Sequence, residues 1–273
     1  MASSGDLALD NSNIHEECAV LGCYHVELAQ GIPDFIESLS KLQHRGRESS
    51  GISYTTGGSC SNCSVQPQDT SGSDGYSTAQ DVTWQVCKGV GSVKQIFYNS
   101  FKQDKNTQYI RSIIGHNRYS TSGKTSDTEE HGIHNRVNGI QPFYNAGLNI
   151  AFVHNGNVQG IGYAENDSHY LFSQIIEKYQ TSTNYCIVTA IRSILNSIKG
   201  VYCVVIQTID GLFAFRDRYG VRPLFIGQWK DKVMVSSETV AFENTVRTIK
   251  EIGPGELYYI GNSSKIVKKT TVN

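Results

Sequence analysis

A cysteine at the head of an apolar run is the residue of this chain with the most evident chemical potential. Cys18 follows a short polar segment and precedes the apolar stretch from Ala19 to Leu21. If the chain is cut before Cys18, this residue has a thiol that can attack a carbonyl and an α-amine that can relay the thiol proton. By composition alone, however, a cysteine among Ala, Val and Leu is more often a small buried hydrophobic residue.

Further motifs carry the kinds of polar side chain that amide hydrolysis needs. In chain order they are Leu42-Gln43-His44-Arg45-Gly46, Gly115-His116-Asn117-Arg118-Tyr119-Ser120-Thr121, His154-Asn155-Gly156-Asn157 and Asp167-Ser168. Three more follow: Arg216-Asp217-Arg218-Tyr219-Gly220-Val221-Arg222-Pro223-Leu224, Val235-Ser236-Ser237-Glu238 and Pro254-Gly255-Glu256. Each motif alone is weak evidence, since Asn-Gly, for example, is most often a tight turn. Their occurrence together, and in this order, indicates one catalytic family.

Together with Cys18, these motifs resemble the class II glutamine amidotransferases, above all the glutaminase half of the amidophosphoribosyltransferase family. The resemblance covers nearly all of residues 18–262. It implies an α/β (α+β) chain folded as the four-layer αββα sandwich of the N-terminal nucleophile hydrolases. It also implies hydrolysis of L-glutamine to glutamate and ammonia through a cysteine thioester. No cofactor, metal ion or iron–sulfur cluster is expected.

The resemblance also assigns roles to individual residues. Cys18 is expected to attack the amide carbon, while the side chain of Asn155 and the N–H of Gly156 form the oxyanion hole. Arg118 is expected to bind the substrate carboxylate, which suits a planar guanidinium with two parallel donors. Asp167 is expected to bind the substrate α-ammonium.

Two further residues are assigned to the substrate pocket on weaker grounds. Thr121 is expected to line it, and Arg45 resembles an arginine near the nucleophile in this family. By its position alone, Arg45 could equally be a surface residue that caps the preceding helix.

The chain departs from the family pattern around Asp167. Only 10 residues separate Gly156 from Asp167, where family members usually have a longer segment with a helix, and His169 replaces the usual acidic residue. The assignment of Asp167 is therefore less secure than that of Arg118. The nearby pair His131 and His134 is interpreted as surface or structural groups rather than as metal ligands.

The elements that must position these residues can be inferred from hydrophobic spacing. The spacing predicts a strand over 18–26, a short helix opened by Pro33, a strand over 149–153, a helix over 185–198, and antiparallel strands from Val201 onward. The strand over 149–153 ends just before His154, so we expect the oxyanion-hole residues on a loop at its end.

Composition excludes several classes of function. The 273 residues carry a net charge of −1 and are 38% hydrophobic, which gives no electrostatic case for binding nucleic acid or an anionic membrane. No apolar run approaches the roughly 18 residues of a membrane span, and the first 17 residues lack the apolar core of a secretory signal. We therefore expect a cytoplasmic protein. The seven cysteines are scattered, and Cys60 and Cys63 read as loop cysteines, with a metal site as the minority alternative.

We divide the chain into a leader, residues 1–17, and an amidotransferase domain, residues 18–273. Within the domain, residues 55–80 are poor in large apolar groups and are expected to form a mobile insertion. Because the leader keeps the nitrogen of Cys18 as a non-basic amide, activity requires cleavage of the Glu17–Cys18 bond. We expect the Cys18 thiol to perform this cleavage by attacking the preceding carbonyl.

Nothing in the 273 residues resembles a phosphoribosyltransferase domain. We therefore expect a glutaminase that delivers ammonia to a separate synthase or phosphoribosyltransferase subunit. The oligomeric state is left open, a homo-oligomer included. Two alternatives remain: a catalytically inactive regulatory or binding protein that keeps the fold, and a hydrolase of the same fold that acts on another amide. Arg118 with Asp167 argues for an amino-acid substrate and against the last of these.

Overall fold

A computed structural model of the chain shows two antiparallel β-sheets stacked face to face, with helices on both outer faces. The structure describes residues 18–26, 31–56, 83–98, 110–119, 139–161, 166–230, 232–242, 246–261 and 266–271. The strands are β1 (Ala19–Val26), β2 (Ser49–Thr56), β3 (Thr83–Val90), β4 (Ile110–Arg118), β5 (Phe143–Asn145), β6 (Ile150–Val158), β7 (Gly200–Thr208), β8 (Gly211–Arg216), β9 (Phe225–Trp229), β10 (Lys232–Ser236), β11 (Thr248–Glu251), β12 (Glu256–Gly261) and β13 (Ile266–Thr271). The α-helices are α1 (Gly31–Lys41), α2 (Val93–Phe97), α3 (Asp167–Thr181) and α4 (Ile187–Ser197).

The two sheets place β1 and β6 in the interior of the sandwich. The first sheet has the order β11-β9-β10-β1-β4-β2-β3, and the second has the order β13-β12-β8-β7-β6-β5. In the first sheet β1 lies between β10 and β4, and in the second β6 lies between β7 and the short strand β5.

Side-chain alternation in β1 divides the apolar core of the first sheet. Leu21 and Cys23 face the cluster that includes Phe35 and Leu39 of α1, while Val20 and Tyr24 face the second sheet. Burying each large apolar side chain contributes roughly 1.5–3 kcal/mol. The alternation therefore fixes which residues of β1 point between the sheets.

The same alternation in β6 defines the remaining core layer. Ala151 and Val153 lie between the sheets, whereas Phe152 packs against Phe172 of α3 and Ile194 of α4. Three apolar layers thus join helix to sheet, sheet to sheet, and sheet to helix. The predicted αββα sandwich is confirmed.

Helix α1 lies on the first sheet because its apolar residues share one face and the sheet offers a flat contact. A Cβ on Gly115 of β4 would lie 2.8 Å from the ring of Phe35, so only glycine allows this close approach. Acidic Asp34 in the first turn and basic Lys41 in the last turn complement the helix dipole. The helix predicted from Pro33 is confirmed.

The predictions of β1, of α4 within residues 185–198, and of antiparallel strands after Val201 are also confirmed. The predicted end of the strand over 149–153 is wrong. Strand β6 continues to Val158 because β7 pairs with it along that length, so Asn155 and Gly156 lie inside a strand. Of the expected insertion over 55–80, residues 55 and 56 belong to β2, and residues 57–80 lie outside the described residues.

Helix α3 was not predicted from the sequence. The sequence contains its start signal, because Asn166 is a residue type typical of helix N-caps. In the structure Asn166 accepts a hydrogen bond from the N–H of His169 at 2.7 Å. Leu171, Phe172 and Ile175 also follow at helical spacing and are buried. Asp167 and Ser168 were interpreted as a substrate-binding motif, so they were not recognised as the first residues of a helix.

Candidate active site

Cys18 lies immediately before β1 and is held by its backbone. Its φ angle is +61°, in the left-handed region that residues other than glycine seldom adopt. The Nε of Arg45 donates a hydrogen bond to the carbonyl oxygen of Cys18 at 2.9 Å. Arg45 is only 3% exposed, so the alternative of a surface arginine is wrong. The structure places Arg45 beside the nucleophile candidate through a backbone contact.

Arg45 is itself positioned by Glu238, for which no individual role was predicted. The Nη1 of Arg45 lies 2.6 Å from Oε1 of Glu238, and His44 Nε2 lies 3.1 Å from both carboxylate oxygens. Burial by itself raises the pKa of Glu238, but hydrogen bonds from Arg45 and His44 outweigh burial and lower it. Glu238 is therefore a carboxylate that neutralises the arginine behind Cys18.

The residue before Glu238 anchors the first residues of β1. The N–H of Val20 donates to Oγ of Ser237 at 3.0 Å, and the N–H of Ser237 donates to the carbonyl of Val20 at 3.0 Å. Ser237 thus binds the backbone of Val20 directly, and Glu238 holds Cys18 through Arg45. These contacts explain why Ser237 and Glu238 occur in one of the sequence motifs.

The side chain of Asn155 is a buried amide without hydrogen bonds to the described residues. It is fully buried, and neither its Nδ2 nor its Oδ1 has a hydrogen-bond partner in the described part of the chain. Because side chains alternate along β6, Asn155 projects to the same side as Val153, between the two sheets. An unsatisfied buried amide costs about 1–3 kcal/mol, and such a group in a native fold calls for an explanation.

A buried histidine joins the strand of Cys18 to the strand of Asn155. His116 of β4 pairs with Val20 of β1, and its Nε2 donates to the carbonyl of His154 on β6 at 3.1 Å. Burial, together with the positive fields of His154 and Arg118, lowers the pKa of His116 to about 3. His116 is thus neutral and bridges the two sheets one residue before Asn155.

Cys203 lies beside Asn155 in the second sheet. This fully buried cysteine is the β7 partner of Asn155 in the strand register. Burial raises the pKa of Cys203 to about 12, while the charge of Arg45 acts in the opposite direction. Because His116 pairs with Val20 and bonds to the carbonyl that precedes Asn155, Cys18 and Asn155 lie at the same end of the sandwich.

Gly156 has a conformation that only glycine adopts without strain. Its φ angle is +149°, and a Cβ would lie 2.5 Å from Cα of Tyr202 and closer still to the carbonyl oxygen of Val201. The residue is half-buried and follows the buried Asn155 directly. Backbone and side-chain donors thus adjoin each other in one strand.

Arg118 ends β4 beside the nucleophile. The last β1–β4 pair is Ala19 with Asn117, so Arg118 is level with Cys18. Its Nε lies 3.8 Å from a carboxylate oxygen of Glu48. A Cβ on Gly139 would lie 2.5 Å from its Nη1, so the guanidinium rests against the backbone there. A partly exposed guanidinium is thus held at the mouth of the site.

Asp167 opens α3 next to the end of β6. Its Oδ2 accepts a hydrogen bond from the N–H of Val158 at 3.1 Å, and Oγ of Ser168 lies 3.4 Å from its Oδ1. The carboxylate therefore stands two residues beyond Gly156 along the strand. A cleft of about 530 Å³ lies beside Asn157, but its lining includes neither Asn155 nor Asp167.

Some predicted features cannot be placed. Thr121, the histidine pair at 131 and 134, and the cysteines at 60 and 63 lie outside the described residues. Within the described ranges, no three His, Cys, Asp or Glu side chains are grouped so that they could hold a metal ion. No helix in that part of the chain is long and apolar enough to cross a membrane.

Known proteins resemble this chain in sequence and in fold. A family described as a glutamine amidotransferase domain matches residues 128–244, which include Asn155, Gly156 and Asp167. The chain is therefore similar to glutamine amidotransferase domains. More particularly, the chain is similar to the glutaminase half of amidophosphoribosyltransferases.

Three curated relatives and two solved structures support that likeness. Amidophosphoribosyltransferase of Schizosaccharomyces pombe is 29% identical over 86% of the chain and 42% of its own length. The Bacillus subtilis and Homo sapiens proteins are 27% and 28% identical, over 95% and 93% of the chain and 49% and 50% of their own lengths. The solved Bacillus subtilis glutamine phosphoribosylpyrophosphate amidotransferase, complexed with ADP and GMP, has a TM-score of 0.65 and 25% identity over 93% of the chain and 49% of its own. A structure described as the allosteric regulatory enzyme of purine biosynthesis has a TM-score of 0.66 at the same identity and coverage. The chain thus spans about half the length of these relatives.

Proposed function

We propose that the chain hydrolyses L-glutamine to glutamate and ammonia, with Cys18 as nucleophile. The observation that carries this proposal is the buried carboxamide of Asn155, which has no hydrogen-bond partner among the described residues and lies at the end of the sandwich where Cys18 lies. A fixed donor held in this way suits a site where negative charge develops only during reaction. The adjoining Gly156 supplies a backbone donor at the same place.

The reaction proceeds in two balanced steps. The Cys18 sulfur bonds to the side-chain amide carbon of glutamine, its proton passes to the α-amine of Cys18 and then to the leaving nitrogen, and ammonia departs. Water then attacks the thioester, giving glutamate and restoring the thiol. In each step the oxyanion is stabilised by Asn155 Nδ2 and the N–H of Gly156, each donor being worth about 10²–10³ in turnover.

Substrate selection falls to two oppositely charged residues. Arg118 binds the α-carboxylate and Asp167 binds the α-ammonium, so that a ligand lacking either charge loses one charge-assisted contact. Arg45 positions the backbone of Cys18, because it donates a hydrogen bond to the carbonyl of Cys18.

Activity requires that Cys18 be the first residue of the chain. While residue 17 is attached, the nitrogen of Cys18 is an amide and cannot relay a proton. The left-handed φ of Cys18 supports cleavage, because an N-terminal residue has no φ and the constraint disappears. We propose that the thiol attacks the carbonyl of Glu17 and that water completes the cleavage.

We further propose that the ammonia serves a phosphoribosyl acceptor in the synthesis of purine nucleotides, as the names of the relatives suggest. A mixture of the chain, glutamine, phosphoribosyl pyrophosphate and a candidate phosphoribosyltransferase would test it by formation of phosphoribosylamine.

The principal experiment measures glutamate release from glutamine by protein whose N-terminus is known from its mass. Wild type, Cys18→Ala and Cys186→Ala are compared, the last being a half-buried cysteine at the start of α4 and therefore a control for thiol loss in general. Release by wild type and Cys186→Ala but not by Cys18→Ala is expected. No release by protein shown to begin at Cys18 would overturn the proposal and favour a binding protein.

A further inference from the structure

The second sheet has a gap beside the oxyanion-hole residues. Strand β5 pairs with β6 only as far as Phe152, whereas β7 accompanies β6 to Val158. Beyond Phe152, the β5 side of β6 therefore faces no strand in the described part of the chain. In an antiparallel ladder, the backbone groups of every second residue point to the same side. On the open side these are the groups of His154, Gly156 and Val158.

Hydrogen bonds on either side of Gly156 confirm this alternation. The N–H of His154 donates to Oε1 of Gln141 at 2.6 Å, and the N–H of Val158 donates to Oδ2 of Asp167 at 3.1 Å. The N–H of Gln159 points the other way, to the segment that leads into β7, at 2.9 Å. The N–H of Gly156 is thus the middle one of three donors on the open side, between two that are bound by side chains.

Gln141 occupies the position that a strand residue would otherwise fill. Its Oε1 accepts from the N–H of His154, and its Nε2 donates to the carbonyl of the same residue at 3.2 Å. The carboxamide therefore binds both backbone groups of His154, as a paired strand does. It is 3% exposed, and its Nε2 also lies 3.2 Å from Oγ of Ser168.

We propose that Gln141 is a positioning residue for the oxyanion hole. Its carboxamide ends the β5 side of the ladder at His154, so that the next donor in line, the N–H of Gly156, faces the substrate. Gln141 touches no reacting atom and acts through the backbone of β6. The expected effect on catalysis rests on the proposed glutaminase function. The placement of the Gly156 N–H by Gln141 does not depend on that function.

Loss of the Gln141 carboxamide would leave the buried backbone of His154 with one partner, the ring of His116. The strand edge would then be free to shift, and with it the donor two residues further on. A displacement of about 1 Å in a catalytic group can lower the rate by about 100-fold. Because the displaced donor acts on the developing oxyanion, the loss should fall on turnover rather than on substrate binding.

The test compares Gln141→Met, which keeps the side-chain length but removes the hydrogen bonds to His154 and Ser168, with Gln174→Met at a partly exposed position of α3. The kcat of Gln141→Met is expected to fall about 10- to 100-fold with KM for glutamine unchanged. Its affinity for glutamate γ-semialdehyde, which forms a tetrahedral adduct with the thiol, should fall by the same factor, while its affinity for glutamate should not change. Equal losses for the aldehyde and for glutamate, or kcat unchanged in a folded protein, would overturn the proposal.

Amide hydrogen exchange tests the geometry without reference to activity. In the wild-type protein the N–H of Gly156 should exchange faster than those of His154 and Val158, and in Gln141→Met the N–H of His154 should lose its protection. A protected Gly156 in wild type would sink the inference, even if Gln141→Met fails to fold. Conversely, wild type without glutaminase activity but with this exchange pattern would refute the proposed function and leave the placement of the donor standing.

Discussion

Arg45 links the backbone of the nucleophile to a carboxylate far along the chain: its Nε lies 2.9 Å from the carbonyl oxygen of Cys18, and its Nη1 lies 2.6 Å from Glu238. A rigid guanidinium thus fixes where β1 begins. The contact is made with a backbone atom, so it positions Cys18 whatever state the thiol is in.

Glu238→Gln should therefore destabilise the fold by about 1–2 kcal/mol. Breaking a fully buried ion pair costs about 3–5 kcal/mol, but Glu238 is 31% exposed and water compensates in part. The control is Glu37→Gln, which removes an exposed partner of Lys41 at 3.8 Å and should cost less than about 0.5 kcal/mol. Urea denaturation measures both, and equal effects of the two substitutions would contradict a structural role for the pair.

Replacing Asn155 by alanine should separate activity from stability. Turnover should fall about 10²–10³-fold with little change in KM, because the lost donor acts on the oxyanion. Stability should remain the same or rise, since the substitution removes two buried polar atoms that have no partner in the described residues.

Asn117 provides a matched comparison, because it is equally buried but fully bonded. Its Oδ1 accepts from Ser50 Oγ and its Nδ2 donates to the carbonyl of Leu39, both at 2.9 Å. Asn117→Ala should destabilise the fold by about 1–3 kcal/mol. If Asn155→Ala destabilised the protein as much as Asn117→Ala, the functional interpretation of Asn155 would fail.

Gly156→Ala should be among the most disruptive single substitutions in the chain. At φ +149° an added Cβ meets the backbone of Val201 and Tyr202, which belongs to the central strand β7 and has little room to move. Gly160→Ala is the control, since it also has positive φ, +73°, but its Cβ would meet nothing within 4 Å. The control should lose roughly 1 kcal/mol to backbone strain alone, and Gly156→Ala several times more, by thermal or urea unfolding.

The αββα sandwich was implied by the resemblance to a known family, while hydrophobic spacing predicted β1 and the first residues of β6. Hydrophobic alternation and turn residues are local signals, and they survive in β1, α1 and α4. The predicted end of β6 was wrong, because the residues from His154 to Asn157 are polar and do not look like a buried strand. The length of β6 is set by its pairing with β7, which local sequence does not show.

The residues that support the site could not be predicted from local sequence patterns. Glu238 lies 193 positions from Arg45, and Gln141 meets His154 through a gap in the sheet that only the tertiary structure reveals. Both act by satisfying buried polar groups elsewhere in the chain. No periodicity or spacing encodes such contacts, so the motif that holds Glu238 could be noticed in the sequence, but the roles of Glu238 and Gln141 could not be predicted from it.

Below neutral pH, His116 and His154 should dominate the acid sensitivity of the fold. Burial lowers the pKa of both, that of His116 to about 3 from an ordinary value of 6.5. The unfolded chain therefore binds more protons than the folded one as pH falls below 6.5, and stability present above that pH is lost progressively toward pH 3.

Each such histidine should contribute up to about 1.4 kcal/mol of lost stability per pH unit. His116→Gln, which does not titrate, should show about half the wild-type decline in urea stability between pH 6.5 and 5, a range above most carboxylate pKa values. His169→Gln, at an exposed position of α3, serves as the control and should follow wild type. An undiminished decline in His116→Gln would show that this histidine is protonated in the folded protein and does not bridge the sheets as a neutral donor.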